Sequence, residues 1–189
     1  NSRNAIQWNN PANELQFWKD FLKNGDSKNL FQEINQRTTH IHHPNYLGHQ
    51  VSPPAPITAL TSLLSSLLNN GTAVYEMGMS SNAIERIIIE FICDKIGFND
   101  ISGGFLTSGG TLANLTALLS ARKAVSKKNV WRDGSQNQLG IMVSEEAHYC
   151  VDRAARIMGL GDQGIIKVPV TNEYNINTDL LDLKLKEAQ

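Results

Sequence analysis

From Phe105 to the last residue, apolar segments of strand length alternate with segments of helix length, and few folds accommodate that order. Phe105 to Thr107 reads as a short strand, Thr111 to Val125 as a helix, Leu139 to Val143 as a strand and Ala147 to Met158 as a helix. Ile165 to Val170 then reads as a strand and Thr178 to Ala188 as a helix. Strand, helix, strand, helix requires crossover connections. The expected class is therefore α/β, with a mainly parallel sheet covered by helices on both faces. The polar stretch from Lys127 to Gln138 is expected to be a surface loop.

The first third of the chain is different. Leu15, Trp18 and Leu22, with Phe17 and Phe21, recur at helical spacing from Asn13 to Asn24, and Gly25 supplies a stop; Asp26 to Gln36 predicts a second helix. The segment "TTHIHHPNYLGHQVSPPAP" holds four of the five histidines and four of the six prolines, so it is expected to be extended. A boundary near Pro56 follows, dividing a helical and extended arm, residues 1–56, from the main domain, residues 57–189. Beyond it, "ITALTSLLSSLLNNG" predicts a helix with a buried face, closed by Asn70 and Gly71. Asn82 and Glu85 are spaced as a capping pair. They lead into a stripe of Ile84, Ile87, Ile88, Phe91, Ile92 and Ile96 that ends at Gly97. These apolar and aromatic positions are the expected core.

Composition narrows the function. The 189 residues carry a formal net charge of −1 and 41% apolar content, which lacks the basic excess of a nucleic-acid or membrane-surface protein. No apolar run approaches the roughly 20 residues that span a bilayer. The opening "NSRNAIQWNN" has no apolar centre of a signal peptide, so a cytoplasmic protein is expected. Cys93 and Cys150 lie in helical patterns without metal-ligand spacing, so no metal site is expected and both read as buried thiols.

Ser108, Gly109, Gly110 and Thr111 stand where a strand passes into a helix. Such a glycine pair lets the backbone approach an anion, and the first N–H groups of the helix carry partial positive charge. A plain tight turn with Thr111 as N-cap would also explain these residues, and the stretch alone leaves both readings open. It is not a P-loop, and it lacks the third glycine of a dinucleotide fingerprint. It suits one phosphate. His148 is expected in the first turn of the next helix, at the same sheet edge; alone, a histidine there is as easily a packed or solvated side chain. Glu145 and Glu146, adjacent in a turn, cannot converge on one bond as acid and base and read as solvated.

"HPNYLGHQVSPP", "AVYEMG", "FLTSGGTLANLTALLSAR" and "VSEEAHYCVDRAARIMGLG", in this order, resemble the pyridoxal-phosphate-dependent group II amino-acid decarboxylases, from about Phe17 to the end. "LGHQ" and "NNGTAVYEMG" are most similar to bacterial diaminobutyrate-decarboxylase-like proteins. The resemblance implies a fold-type-I large domain. It implies that Ser108, Gly109, Gly110 and Thr111 bind the phosphate of pyridoxal 5'-phosphate and that His148 stacks on its ring as a catalytic residue. It also implies an L-amino-acid substrate, with His49 and Gln50 as candidates on the substrate side, and a homodimer.

A decarboxylase of this type also needs an aspartate beside the pyridine nitrogen and a lysine that carries the cofactor, and no lysine here lies in such a setting. The expectation is thus the N-terminal portion of an enzyme whose fold is incomplete in this chain and which is inactive alone, either a truncated product or one piece of a broken chain with a complementary C-terminal polypeptide. The alternatives are another fold-type-I enzyme, such as a cysteine desulfurase, or a remnant without chemistry.

Overall fold

The computed structural model describes residues 4–49, 51–99, 101–126, 128–134 and 139–188. The chain forms two compact units, residues 1–71 and 72–189.

In the first unit, helix α1 (Pro11–Asn24) begins with proline at its first turn and with the Asn10 side chain accepting from the Ala12 N–H. The expected second helix is present as a 3₁₀ turn, Ser27–Asn29, capped by Asp26, followed by α2 (Leu30–Arg37). One arginine ties the two helices. Arg37 pairs with Glu14 at 2.9 Å and lays its guanidinium 3.2 Å over the Phe17 ring. Phe17, Trp18 and Phe21 cluster on α1, half-buried, while Leu15 and Leu22 are exposed. Residues 39–49 and 51–55 are irregular, as the prolines require.

Helix α3 (Pro56–Leu68) ends at Asn69, whose φ of 49° is the left-handed cap that stops a helix. Its expected buried face is a correction: none of its residues is buried, because no element among the described residues of its unit covers Leu60, Leu63, Leu64 and Leu67.

The second unit opens with the short helix α4 (Tyr75–Gly78) and then α5 (Ser80–Lys95). Gly97, at φ 79°, ends α5 in a Schellman turn, with the Phe98 N–H donating to Cys93 O. The capping pair does not form. Asn82 lies inside α5 and donates to Thr72 O, while Glu85 accepts from the Leu106 N–H at 2.8 Å; tertiary partners outcompete the local pairing. The isoleucine stripe is also not core here. Ile84, Ile87, Ile88, Phe91, Ile92 and Ile96 are all exposed, whereas Ile89, off that stripe, is buried against Gly104.

Helix α6 (Gly110–Val125) follows the glycine turn. Phe105 to Thr107 is not a strand: with the Leu106 N–H taken by Glu85, no ladder partner flanks it among the described residues. Within the polar loop, α7 (Val130–Asp133) is a single turn capped by Asn129. Strand β1 (Ile141–Ser144), helix α8 (Cys150–Ile157), strand β2 (Ile165–Val168) and helix α9 (Thr178–Glu187) then come in the expected order. The strands pair in parallel, Ile141 with Ile165 through to Ser144 with Val168.

The core of this unit is small and sits under α8. Cys150, Ala154 and Met158 recur every four residues on one face and, with Ala155 and Val168, are buried. The buried Cys150 thiol agrees with the sequence; Cys93 is only half-buried. Gly159, at φ 77°, closes α8 in the same way that Gly97 closes α5, with the Leu160 N–H reaching Ala155 O.

Candidate functional site

Two side-chain bonds set the site. Asn114 Nδ2 donates to Cys150 Sγ at 3.1 Å, and Arg122 Nη1 donates to the Met158 carbonyl at 3.1 Å. In each case the partners are 36 residues apart, so α6 and α8 lie side by side, parallel and in register over eight residues. The start of α6 is therefore beside the start of α8. Because α8 follows β1 directly, both helix openings face the carboxyl end of that parallel strand, the edge at which α/β folds bind ligands.

At the α6 opening, Thr107 Oγ1 donates to Gly109 O at 3.0 Å and holds the turn. Gly109 is the N-cap residue, with no side-chain cap, and Ser108, Gly109, Gly110 and Thr111 are exposed. Thr111 is one residue inside the helix, so the tight turn capped by Thr111 is not what the chain forms. The glycines are also not required by the backbone. Gly109 is extended at φ 165°, neither glycine has a left-handed φ, and a Cβ on either would meet nothing within 4 Å. The turn is an open cradle that a side chain would fill, in front of the unpaired N–H groups of a first helical turn.

At the α8 opening, the turn after β1 is held by its own backbone and by Glu145. Its N–H donates to Val168 O at 2.9 Å and its Oε1 accepts from the Val170 N–H at 2.8 Å. Glu145 is thus exposed, as expected, and also pins the ends of β1 and β2 together. Helix α8 starts at Cys150, so His148 precedes it instead of lying in its first turn. The ring is exposed and accepts at Nδ1 from the Cys150 N–H at 3.2 Å, which leaves the proton of the neutral ring on Nε2. The Tyr149 ring lies 4.2 Å away, and Arg153 lies over Tyr149 at 4.9 Å.

The glycine turn and His148 thus belong to one edge of the second unit. His49 is an exposed residue of the first unit, and Gln50 lies outside the described residues. Sequence reasoning passed over Asn114 and Arg122. Their eight-residue separation matches that of Cys150 and Met158, but only packing reveals that the two pairs meet.

A layered α/β unit with an open anion cradle and a histidine beside it defines a class of proteins that hold a phosphate-bearing cofactor at the sheet edge. The chain belongs to the pyridoxal-dependent decarboxylases: residues 20–189 match the family's conserved domain. It is 32% identical over 148 residues to a glutamate decarboxylase-like protein of Gibberella zeae, covering 77% of this chain and 28% of that protein. It is 26% identical over 164 residues to an L-2,4-diaminobutyrate decarboxylase of Acinetobacter baumannii, covering 79% and 32%.

Among solved structures, mouse CSAD superposes with a TM-score of 0.85 at 21% identity over 99% of this chain and 41% of that one. The glutamate decarboxylase domain of a diaminobutyrate-pyruvate transaminase and L-2,4-diaminobutyrate decarboxylase from Vibrio parahaemolyticus gives 0.84 at 21% identity, over 95% and 42%. These likenesses establish the fold-type-I architecture. The comparisons favour a decarboxylase over the cysteine desulfurase alternative. The chain spans 28% and 32% of the length of those two curated relatives. The cofactor of the family is pyridoxal phosphate, and the open glycine cradle fits its phosphate. No helix among the described residues is long and apolar enough to cross a membrane.

Proposed function

We propose that this chain is the N-terminal portion of an enzyme that removes the α-carboxylate of an L-amino acid as carbon dioxide and releases the amine. The observation that carries the proposal is the in-register packing of α6 on α8, which puts an uncapped, glycine-lined helix start beside His148. The Gly110 and Thr111 N–H groups, with Gly109 allowing close approach, would hold the phosphate, and the Ser108 and Thr111 hydroxyls would donate to it. His148 would stack on the ring and hold it at a fixed angle to the substrate's carboxylate. When bound, pyridoxal phosphate supplies a conjugated ring that takes up the electron pair left as carbon dioxide departs.

The division into an arm, residues 1–56, and the opening of the cofactor domain, residues 57–189, belongs to this proposal, as does a substrate contact from His49 and Gln50. So do a cytoplasmic homodimer and the supply of the cofactor-bearing lysine by chain beyond these residues, on the same or a complementary polypeptide. The match to only a third or so of the relatives' length supports that last point.

The test is carbon dioxide release from a panel of L-amino acids by the full-length protein, and by residues 1–189 alone and co-expressed with the downstream half. Turnover by the full-length protein and none by residues 1–189 alone is expected. Turnover only on co-expression would identify one piece of a split enzyme, and cofactor binding without carbon dioxide release in every case would identify a remnant.

A further inference from the structure

His148 is exposed, and an exposed ring needs something to fix it. Among the described residues its polar partner is the Cys150 N–H, at 3.2 Å. The ring's orientation and its Nε2–H tautomer therefore depend on where the first residue of α8 sits. Cys150 is 2% exposed, and its sulfur is held from outside α8 by the Asn114 amide at 3.1 Å. At the far end, Arg122 grips the Met158 carbonyl, so α8 can neither slide along α6 nor turn freely. The two anchors are not equivalent. Asn114 acts on the very residue whose N–H meets the ring, whereas Arg122 acts two turns away.

We propose that Asn114 is a positioning residue for His148: through the Cys150 thiol it fixes the start of α8, and the Cys150 N–H then holds the imidazole in one orientation and one tautomer. This rests on the reading that His148 stacks on the cofactor. The Asn114 amide bonds to Cys150, so in this proposal it acts on the ring only through α8. Its amide is fitted to the task because Nδ2 donates to a soft, buried acceptor; the Lys167–Asp152 pair at 2.7 Å ties the same turn of α8 to β2, so losing the Asn114 donor removes the tie of that turn to α6.

The test uses the full-length protein carrying Asn114→Leu, which keeps the side chain's bulk and removes the donor, with Cys150→Ala and Cys150→Ser beside it. The imidazole nitrogen resonances of His148, recorded without cofactor, report its tautomer. The expected result is a single Nε2–H form in the wild type and in Cys150→Ser, whose hydroxyl still accepts, and a mixture in Asn114→Leu and Cys150→Ala.

In the loaded enzyme, Asn114→Leu should lower kcat about fivefold with KM unchanged, the effect of one net hydrogen bond. It should cost nothing further in a His148→Ala background. A single Nε2–H form in both Asn114→Leu and Cys150→Ala overturns the proposal. If Asn114→Leu does not fold, Cys150→Ala decides by the same spectrum. If His148→Ala leaves turnover unaltered, the stacking role fails, while the spectrum still decides whether Asn114 positions the ring.

Discussion

Replacing Gly110 by alanine separates what the chain needs from what the ligand needs. Gly110 is the first residue of α6, its φ is not left-handed, and a Cβ there meets nothing within 4 Å. The folded chain therefore accommodates the methyl without strain. The unfolded chain loses backbone freedom, a change worth ~0.4–1 kcal/mol in favour of folding. For the cofactor-free protein, the melting midpoint should hold or rise by up to about 2 °C. Binding should move the other way. The methyl occupies the cradle and pushes the phosphate off at least one N–H group. A hydrogen bond to a charged group is worth ~1.5–3 kcal/mol, so cofactor affinity should fall roughly 10- to 150-fold.

Thermal melts of the cofactor-free full-length protein, paired with a fluorescence titration of pyridoxal phosphate, measure both. A midpoint several degrees lower would show that Gly110 is structural, and unchanged affinity would remove the phosphate from this turn. Gly110→Asp, which sets a carboxylate in the proposed phosphate site, should abolish cofactor retention through gel filtration.

His148→Ala should lower turnover more than cofactor content, since stacking orients a ring that other contacts retain; equal losses in both, read by assay and by absorbance, would contradict this. Ala155 is fully buried at the heart of α8. Ala155→Leu should cost ~1–3 kcal/mol by overpacking, seen as a lower urea midpoint, and an unchanged midpoint would mean that the core there is loose. Deleting residues 13–56, whose Leu15, Leu22 and Phe31 are exposed, should turn the proposed dimer into monomer or aggregate by light scattering. A stable, active dimer after the deletion would refute the proposed role of the arm.

Elements whose signals are local could be read in advance. Helix α6 announces itself by an unbroken Ala/Leu-rich run, and α5 and α8 stop where Gly97 and Gly159 take positive φ. Strand β1, helix α8 and strand β2 follow from apolar alternation, although His148 falls outside α8 because its ring, by capping the Cys150 N–H, takes part in the turn rather than the helix. Features decided at a distance could not be read. Phe105 to Thr107 has a strand's composition, but whether it pairs depends on a neighbour, and Glu85 claims its N–H from 21 residues away.

The stripe on α5 marks an apolar face correctly. Periodicity cannot say whether the described chain covers that face, and here it does not. The glycine turn was half readable: residue types pointed to an anion, but the choice between cradle and capped turn needed the absence of strain and of neighbours at Gly109 and Gly110. The bond from Asn114 to Cys150 left no local trace, since each residue is unremarkable in its own helix.

The most direct test of the central claim, that the paired openings of α6 and α8 hold the cofactor, is a crystal structure of the full-length protein loaded with pyridoxal phosphate. The account predicts phosphate oxygens about 2.7–3.2 Å from the N–H groups of Gly110 and Thr111. It also predicts the His148 ring lying face to face with the pyridine at about 3.5–4 Å. A phosphate bound elsewhere, or a His148 ring turned away from the cofactor, would contradict it.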